Sequence, residues 1–344
     1  MQESWSDLAQ NIWTSLGHER VPFGCEFEIT HRCPFRCEHC WLGCLRDDSC
    51  EELTTCEIED LLRQMAAQGT FWVTFTGGEP LLRPDAIPLM GLARQLGMIP
   101  KLFTNAFLID SAMAQDLASV HPQVVEVTLY GTSNETYTQF TDCKGAFDRV
   151  VEGINALVRT GLNVALKAAI TKSNAYQLGS MNEIASSMNL PFRFDAEMTP
   201  AIDGITSMSQ VRLSPEEIAE LETPYRRDPY SRKASALAGR RPVASQLCAA
   251  GHTVYHLDPK GYLSPCGLLR NIKVRALPSF REAWVELGRQ LAGRCFVPET
   301  CRKCEYVAVC GVCPGWAFFE YGSETAKNLY KCQLTQRRVT RWIG

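Results

Sequence analysis

The chain has 344 residues, a net charge of −3, 45% hydrophobic residues and 16 cysteines. That length suggests about two domains with a sizeable core, although an α/β barrel takes most of it alone. The small net charge gives no footprint for nucleic acid over the whole surface. No run of about 18 apolar residues occurs and the start lacks a basic-then-apolar signal pattern, so a cytoplasmic protein off the membrane is expected. In that compartment a disulfide framework is not expected, and the cysteine excess points to metal.

In chain order, residues 1–20 predict a short amphipathic helix with Trp5, Leu8, Ile12, Trp13 and Leu16 on one side, aromatics that at this spacing serve packing. A strand, Cys25–Thr30, runs into the loop Cys33-Pro-Phe-Arg-Cys37-Glu-His-Cys40. Cys44, Cys50 and Cys56 follow in a polar stretch and read as free structural thiols, with extension of a metal site as the alternative. Regular alternation then begins: helix 57–68 stopped by Gly69, and a β-rich run 70–76 ending at Gly77-Gly78-Glu79-Pro80. Next come helix 84–97, strand 99–104, helix 110–119, strand 123–130, helix 146–160, strand 163–170, helix 176–188, strand 191–197 and a last helix 215–221. Strands separated by helices of this length imply right-handed βαβ units and a parallel sheet. Six units are too few to close an eight-fold barrel.

Three cysteines at x3 and x2 spacing on one loop carry the first chemical signal. A cubane of four irons normally takes four thiolates, so three leave one iron open to a chelating small molecule that can receive an electron. A zinc site is the alternative, but zinc sites usually pair two-ligand knuckles and no matching second pair follows nearby. Cys-x3-Cys-x2-Cys resembles the signature of the radical S-adenosylmethionine (SAM) enzymes. By that resemblance the methionine moiety of SAM occupies the open iron, and reductive cleavage gives a 5′-deoxyadenosyl radical that abstracts a substrate hydrogen atom. The family fold is a partial (β/α)6 barrel, in agreement with the strand count, and in such folds chemistry gathers at the carboxyl ends of the strands. Gly77, Gly78, Glu79 and Pro80 resemble the family's Gly-Gly-Glu segment, which implies contact with the methionine amine. The glycines leave backbone open to close approach, and Pro80 fixes the turn. Asn105 and Thr128 stand at strand positions where relatives contact the ribose or carboxylate, although Thr104-Asn105-Ala106 departs from the commoner Thr-Asn-Gly. His39 stands where relatives carry an aromatic residue beside the adenine, and otherwise reads as a capping or core histidine. Residues Tyr130-Gly-Thr-Ser133 and Lys144-Gly-Ala-Phe147 look like the family's fourth βα connection. Lys167 reads as a substrate contact or a strand-end charge.

Composition changes after about 223. The basic, proline-containing stretch 223–245 reads as a bridge whose charge is usually a solvated face, with steering of an acidic peptide or a phosphorylated ligand as the alternative. Beyond it come Cys248, Cys266, Cys301-x2-Cys304, Cys310-x2-Cys313 and Cys332. Seven such thiols exceed what packing or one zinc needs. They resemble the SPASM extension of radical SAM enzymes, placed here at 246–344 after a barrel at 21–222, with x2 where the usual form has x3. The resemblance implies two auxiliary iron–sulfur clusters, three in all: Cys301, Cys304, Cys310 and Cys332 hold the outer one, and Cys248, Cys266 and Cys313 the inner one. The fourth inner ligand is Cys295, another group, or an open iron, and Cys143 reads as unliganded.

The leading expectation is oxidative crosslink or thioether maturation of a ribosomally made peptide, with the auxiliary clusters accepting an electron after hydrogen abstraction and a flavodoxin- or ferredoxin-type donor supplying reductant. About 24 residues precede the first strand, too few for a leader-recognition domain, so a peptide is held by the barrel face, the bridge or a separate leader-binding protein. The alternatives are oxidation of a small metabolite (an aminocyclitol, a sugar or a tetrapyrrole) and a non-enzymatic electron carrier. Sulfatase maturation is disfavoured because Gly267 stands where those relatives carry aspartate. No substrate-side acid or base is assigned.

Overall fold

A computed structural model describes residues 15–17, 19–47, 51–225 and 248–343. The expected N-terminal helix, Cys50 and the bridge 223–245 therefore lie largely or wholly outside the described residues. Six parallel strands form the first part of the sheet: β1 (Gly24–Thr30), β2 (Trp72–Gly77), β3 (Ile99–Thr104), β4 (Val125–Leu129), β5 (Val164–Ala169) and β6 (Phe192–Asp195). Between them run α1 (Thr55–Ala67), α2 (Ala86–Gln95), α3 (Ser111–Val120), α4 (Asn134–Thr141), α5 (Ala146–Arg159) and α6 (Leu178–Ser187), followed by α7 (Pro215–Glu222). Strand order is β6-β5-β4-β3-β2-β1, and β7 (Val254–Leu257) adds to β1 in parallel before β8 (Tyr262–Ser264) and β9 (Val274–Arg275) turn antiparallel. The cysteine-rich region thus continues the barrel sheet beside the strand that feeds the first cysteine loop. After β9 come α8 (Phe280–Leu291), α9 (Val307–Cys310), α10 (Pro314–Tyr321) and α11 (Leu329–Ile343).

Residue alternation explains the layers. On β1 to β5 the residues Phe27, Ile29, Val73, Phe75, Leu102, Val127 and Leu166 are buried against the helices, as period-two patterning requires. The opposite face is polar. Glu126 takes Lys167 at 3.7 Å and also pairs with Arg193, and the Lys167 ammonium lies 3.1 Å over the Phe103 ring. Burial lowers the Lys167 pKa to about 8. Helix starts follow local chemistry. Thr54 and Glu57 cap each other reciprocally, so α1 begins two residues before the sequence expectation, and Ser214 with Glu217 does the same for α7.

Within the barrel one helix was not anticipated. Ser133 accepts the Thr136 N–H and starts α4 within the stretch read as a connection. Its signal was present as a serine cap ahead of Tyr137 and Phe140, but eight residues are short for periodicity to register.

The cysteine-rich region is fastened by buried charge. Arg338 of α11 holds the fully buried Glu222 of α7 at 2.7 and 2.8 Å and reaches Glu197 at 2.5 Å. Arg270 clamps Glu28 of β1, whose exposure is 0%, at 2.9 and 2.6 Å. His31 lies 2.9 Å and His256 3.4 Å from the same carboxylate.

Candidate metal and cofactor site

The first cysteine loop leaves β1 through a register shift between Glu28 and Thr30. An irregularity there re-aims the chain at the end of a strand. The loop is then held on both sides. The Arg36 and Glu38 amides donate to the Thr141 and Phe140 carbonyls of α4 at 2.7 and 3.0 Å. The Glu38 carboxylate accepts from Thr171 and Ser173 beyond β5 at 2.6 and 2.9 Å. The unanticipated helix is therefore a platform for the loop.

Gly77 and Gly78 meet the loop from the other side. A Cβ on Gly77, which has φ of 138°, would lie 2.1 Å from the Thr30 carbonyl oxygen. One on Gly78 would lie 2.3 Å from that of Arg32. The Gly78 and Glu79 amides donate to the Thr30 and Arg32 carbonyls, both at 2.8 Å. Glycine is needed because the chain's own cysteine loop lies against it, a different reason from the open backbone expected for a ligand. Glu79 is fully buried and accepts from Thr104 Oγ1 at 2.9 Å, the Asn105 N–H at 2.7 Å and the Leu81 N–H at 3.2 Å. Burial pushes its carboxyl up to about 7 against those three donors. Pro80 opens the 3-10 turn that follows.

Asn105 joins this group. Its side-chain amide nitrogen is 3.8 Å from the Cys33 sulfur, and its Oδ1 accepts the Phe107 N–H at 2.9 Å. Ala106 adopts φ of 59°, the left-handed region that explains why glycine is commoner there. His39 packs 5.7 Å from Tyr130 and 5.1 Å from Phe140 between ring centroids, and among the described residues its buried Nδ1 has no hydrogen-bond partner. Burial lowers it to about 4, keeping the imidazole neutral. Tyr130, which composition did not single out, directs its hydroxyl to the Cys37 thiol. Thr128 is half-buried on the Glu126 face of β4, paired in register with Lys167.

The later thiols gather in two sets. Cys301, Cys304, Cys310 and Cys332 line one cavity of about 80 Å³, with Lys331 and Thr335. Cys313 also lines it, yet interacts electrostatically with Cys248 and Cys266. Each of these three sulfurs accepts a backbone N–H: from Ala250 at 3.5 Å, from Leu269 at 3.4 Å and from Trp316 at 3.4 Å. Amides aimed at sulfur favour the thiolate. Cys313 does so as the N-cap of α10. Burial raises Cys33 and Cys266 to about 12, a penalty that a bound cation reverses because it deprotonates its thiol ligands. Cys295 is exposed, with its sulfur 4.0 Å from the Val297 carbonyl. Among the described residues no three His, Cys, Asp or Glu side chains converge on a single-ion site, and none of the helices is long and apolar enough to cross a membrane.

A parallel α/β sheet with a three-cysteine loop at the carboxyl end of its first strand defines a class, and the comparisons agree with it. Residues 27–176 match the Radical SAM superfamily. Fe-coproporphyrin III synthase of Methanosarcina barkeri is 33% identical over 165 residues, 48% of this chain and 41% of that protein. PqqA peptide cyclase of Bradyrhizobium diazoefficiens is 25% identical over 310 residues, 83% of this chain and 79% of that one. In structure, Streptococcus suis SuiB bound to its precursor peptide SuiA superposes with a TM-score of 0.72 at 17% identity, covering 97% of this chain and 82% of that one. Residues 27–176 thus match the radical SAM superfamily, and the likeness to the peptide cyclase, an enzyme, runs on through the cysteine-rich C-terminal region.

Proposed function

We propose that the chain oxidatively modifies a ribosomally made peptide, with SAM bound at an iron–sulfur cluster held by Cys33, Cys37 and Cys40. When bound, the reduced cluster and SAM supply hydrogen-atom abstraction. The chain's own residues hold and shape that site. The α4 platform fixes the loop, Gly77 and Gly78 let the next strand end close on it, and Glu79 braces Thr104 and Asn105. Pro80, His39, Asn105 and Thr128 complete the SAM surround. Two auxiliary clusters fit the later thiols, one on Cys301, Cys304, Cys310 and Cys332, the other on Cys248, Cys266 and Cys313. Five thiols around one cavity support a polynuclear group over a single zinc, whose ligands stand about 2.3 Å from one point. A flavodoxin- or ferredoxin-type donor supplies the electrons.

The observation that carries the peptide reading is the likeness to the peptide cyclase along most of both chains. The porphyrin-synthase likeness favours a tetrapyrrole as the second reading, and it spans less than half of that relative. An aspartate after Cys266 has no room, since a Cβ on Gly267 would lie 2.3 Å from the Trp41 ring, which supports setting sulfatase maturation aside. Reduced enzyme with SAM and a candidate precursor peptide is the test, read by mass spectrometry. A loss of two hydrogens from the peptide is expected; turnover of coproporphyrin with no change in peptide mass overturns the reading.

A further inference from the structure

One aromatic side chain stands between the two cysteine loops nearest the sheet. Trp41 follows Cys40, and its carbonyl is tied by the Ile202 N–H at 2.7 Å. Its indole rests on Gly267, which follows Cys266. A Cβ on Gly267 would meet ring atoms Cη2 and Cζ3 at 2.3 and 2.6 Å. The Arg270 guanidinium covers the ring at 5.0 Å from its centroid. Arg270 is itself fixed, by Nε donating to the Gly267 carbonyl at 2.6 Å and by both terminal nitrogens on Glu28. The indole is thus held against a bare α-carbon and under a pinned cation. A single π system fills the space between the backbone beside Cys40 and the backbone beside Cys266.

We propose that Trp41 is the path by which one electron passes between the Cys33–Cys37–Cys40 site and the Cys248–Cys266–Cys313 site. This rests on the reading that both sites hold iron–sulfur clusters. The step makes and breaks no bond. A reduced cluster at one site loses one electron, an oxidised cluster at the other gains it, and no proton moves. The guanidinium over the ring opposes positive charge on the indole, so Trp41 serves as a bridge and is not itself oxidised. The absent side chain at 267 is what allows the contact.

The test uses full-length protein reconstituted anaerobically with iron and sulfide, reduced with dithionite, freed of excess reductant and mixed with SAM alone. Acid quench follows 5′-deoxyadenosine, and freeze-quench EPR follows the reduced signal of the Cys266 site. Wild type gives a first phase from the electron already in the barrel, then a second as the Cys266-site signal decays. Trp41→Leu loses the second phase and its Cys266-site signal persists, with the first phase as internal reference. Gly267→Ala, which displaces the indole without removing it, shows the same loss if the leucine variant loads iron poorly. Decay at the wild-type rate in either variant with full iron overturns the relay, as does a wild type without a second phase. Iron near four per chain, where three clusters require about eleven to twelve, overturns the multi-cluster reading and the relay with it.

Discussion

Replacing Arg270 by methionine tests whether the barrel and the cysteine-rich region are joined through Glu28. The Glu28 carboxylate is fully buried and receives both terminal nitrogens of Arg270. Removing the guanidinium leaves a buried charge with two histidines near it, for which the expected cost is about 3–5 kcal/mol. At a urea dependence of roughly 3 kcal/mol/M this lowers the unfolding midpoint by on the order of 1 M. Arg270 and neighbouring groups hold the Glu28 pKa well below the usual carboxylate range. A depressed acid contributes stability above its unfolded pKa and loses it as pH falls through the folded value. The penalty of Arg270→Met is therefore largest near neutrality and shrinks as acid protonates Glu28. The double variant Glu28→Gln/Arg270→Met recovers most of the loss. Urea titrations of the four proteins at two pH values give the coupling directly. A single-variant cost below about 1 kcal/mol, the range of an exposed pair, or a coupling of zero refutes the reasoning.

The remaining predictions concern the first cysteine loop. Gly78→Ala forces a methyl group 2.3 Å from the Arg32 carbonyl and is expected to lower iron loading of the barrel site, counted after reconstitution. Ala106→Gly relieves the φ of 59° and is expected to stabilise by about 1 kcal/mol, the left-handed penalty less the added chain entropy, measured by urea titration. Glu79, raised to about 7, binds more protons folded than unfolded, so its ionisation costs stability as pH rises from about 4.5 to 7; Glu79→Gln flattens that slope in metal-free protein. His39→Phe removes a buried ring nitrogen that has no partner among the described residues and is expected to be neutral or stabilising in thermal unfolding.

Most of the barrel was legible because its strands are bounded by glycine and its helices carry long apolar stripes. Strand Ile99–Thr104 matches its expectation residue for residue. The cysteine spacing likewise exposed the first loop, because ligand spacing is local. What stayed hidden depends on contacts between distant positions. Glu28 and Arg270 are 242 residues apart, and no pattern in either neighbourhood announces the pair. Gly77 and Gly78 were recognised as special, but the carbonyls that exclude a side chain lie some 45 residues earlier, on Thr30 at the end of β1 and on Arg32 in the loop after it. The role of Trp41 required the bare α-carbon of Gly267 to be seen against it. Addition of β7 to the edge of the barrel at β1 is also non-local, since four residues of mixed character, Val254–Leu257, carry little strand signal.

The central claim is that the Cys33–Cys37–Cys40 site leaves room for SAM on its metal. EPR of the reduced, anaerobically reconstituted protein with and without SAM measures this directly. The account predicts that SAM shifts the signal of one cluster, that Cys37→Ala abolishes the shift, and that 5′-deoxyadenosine forms. A barrel cluster whose spectrum ignores saturating SAM, with no nucleoside released, contradicts it.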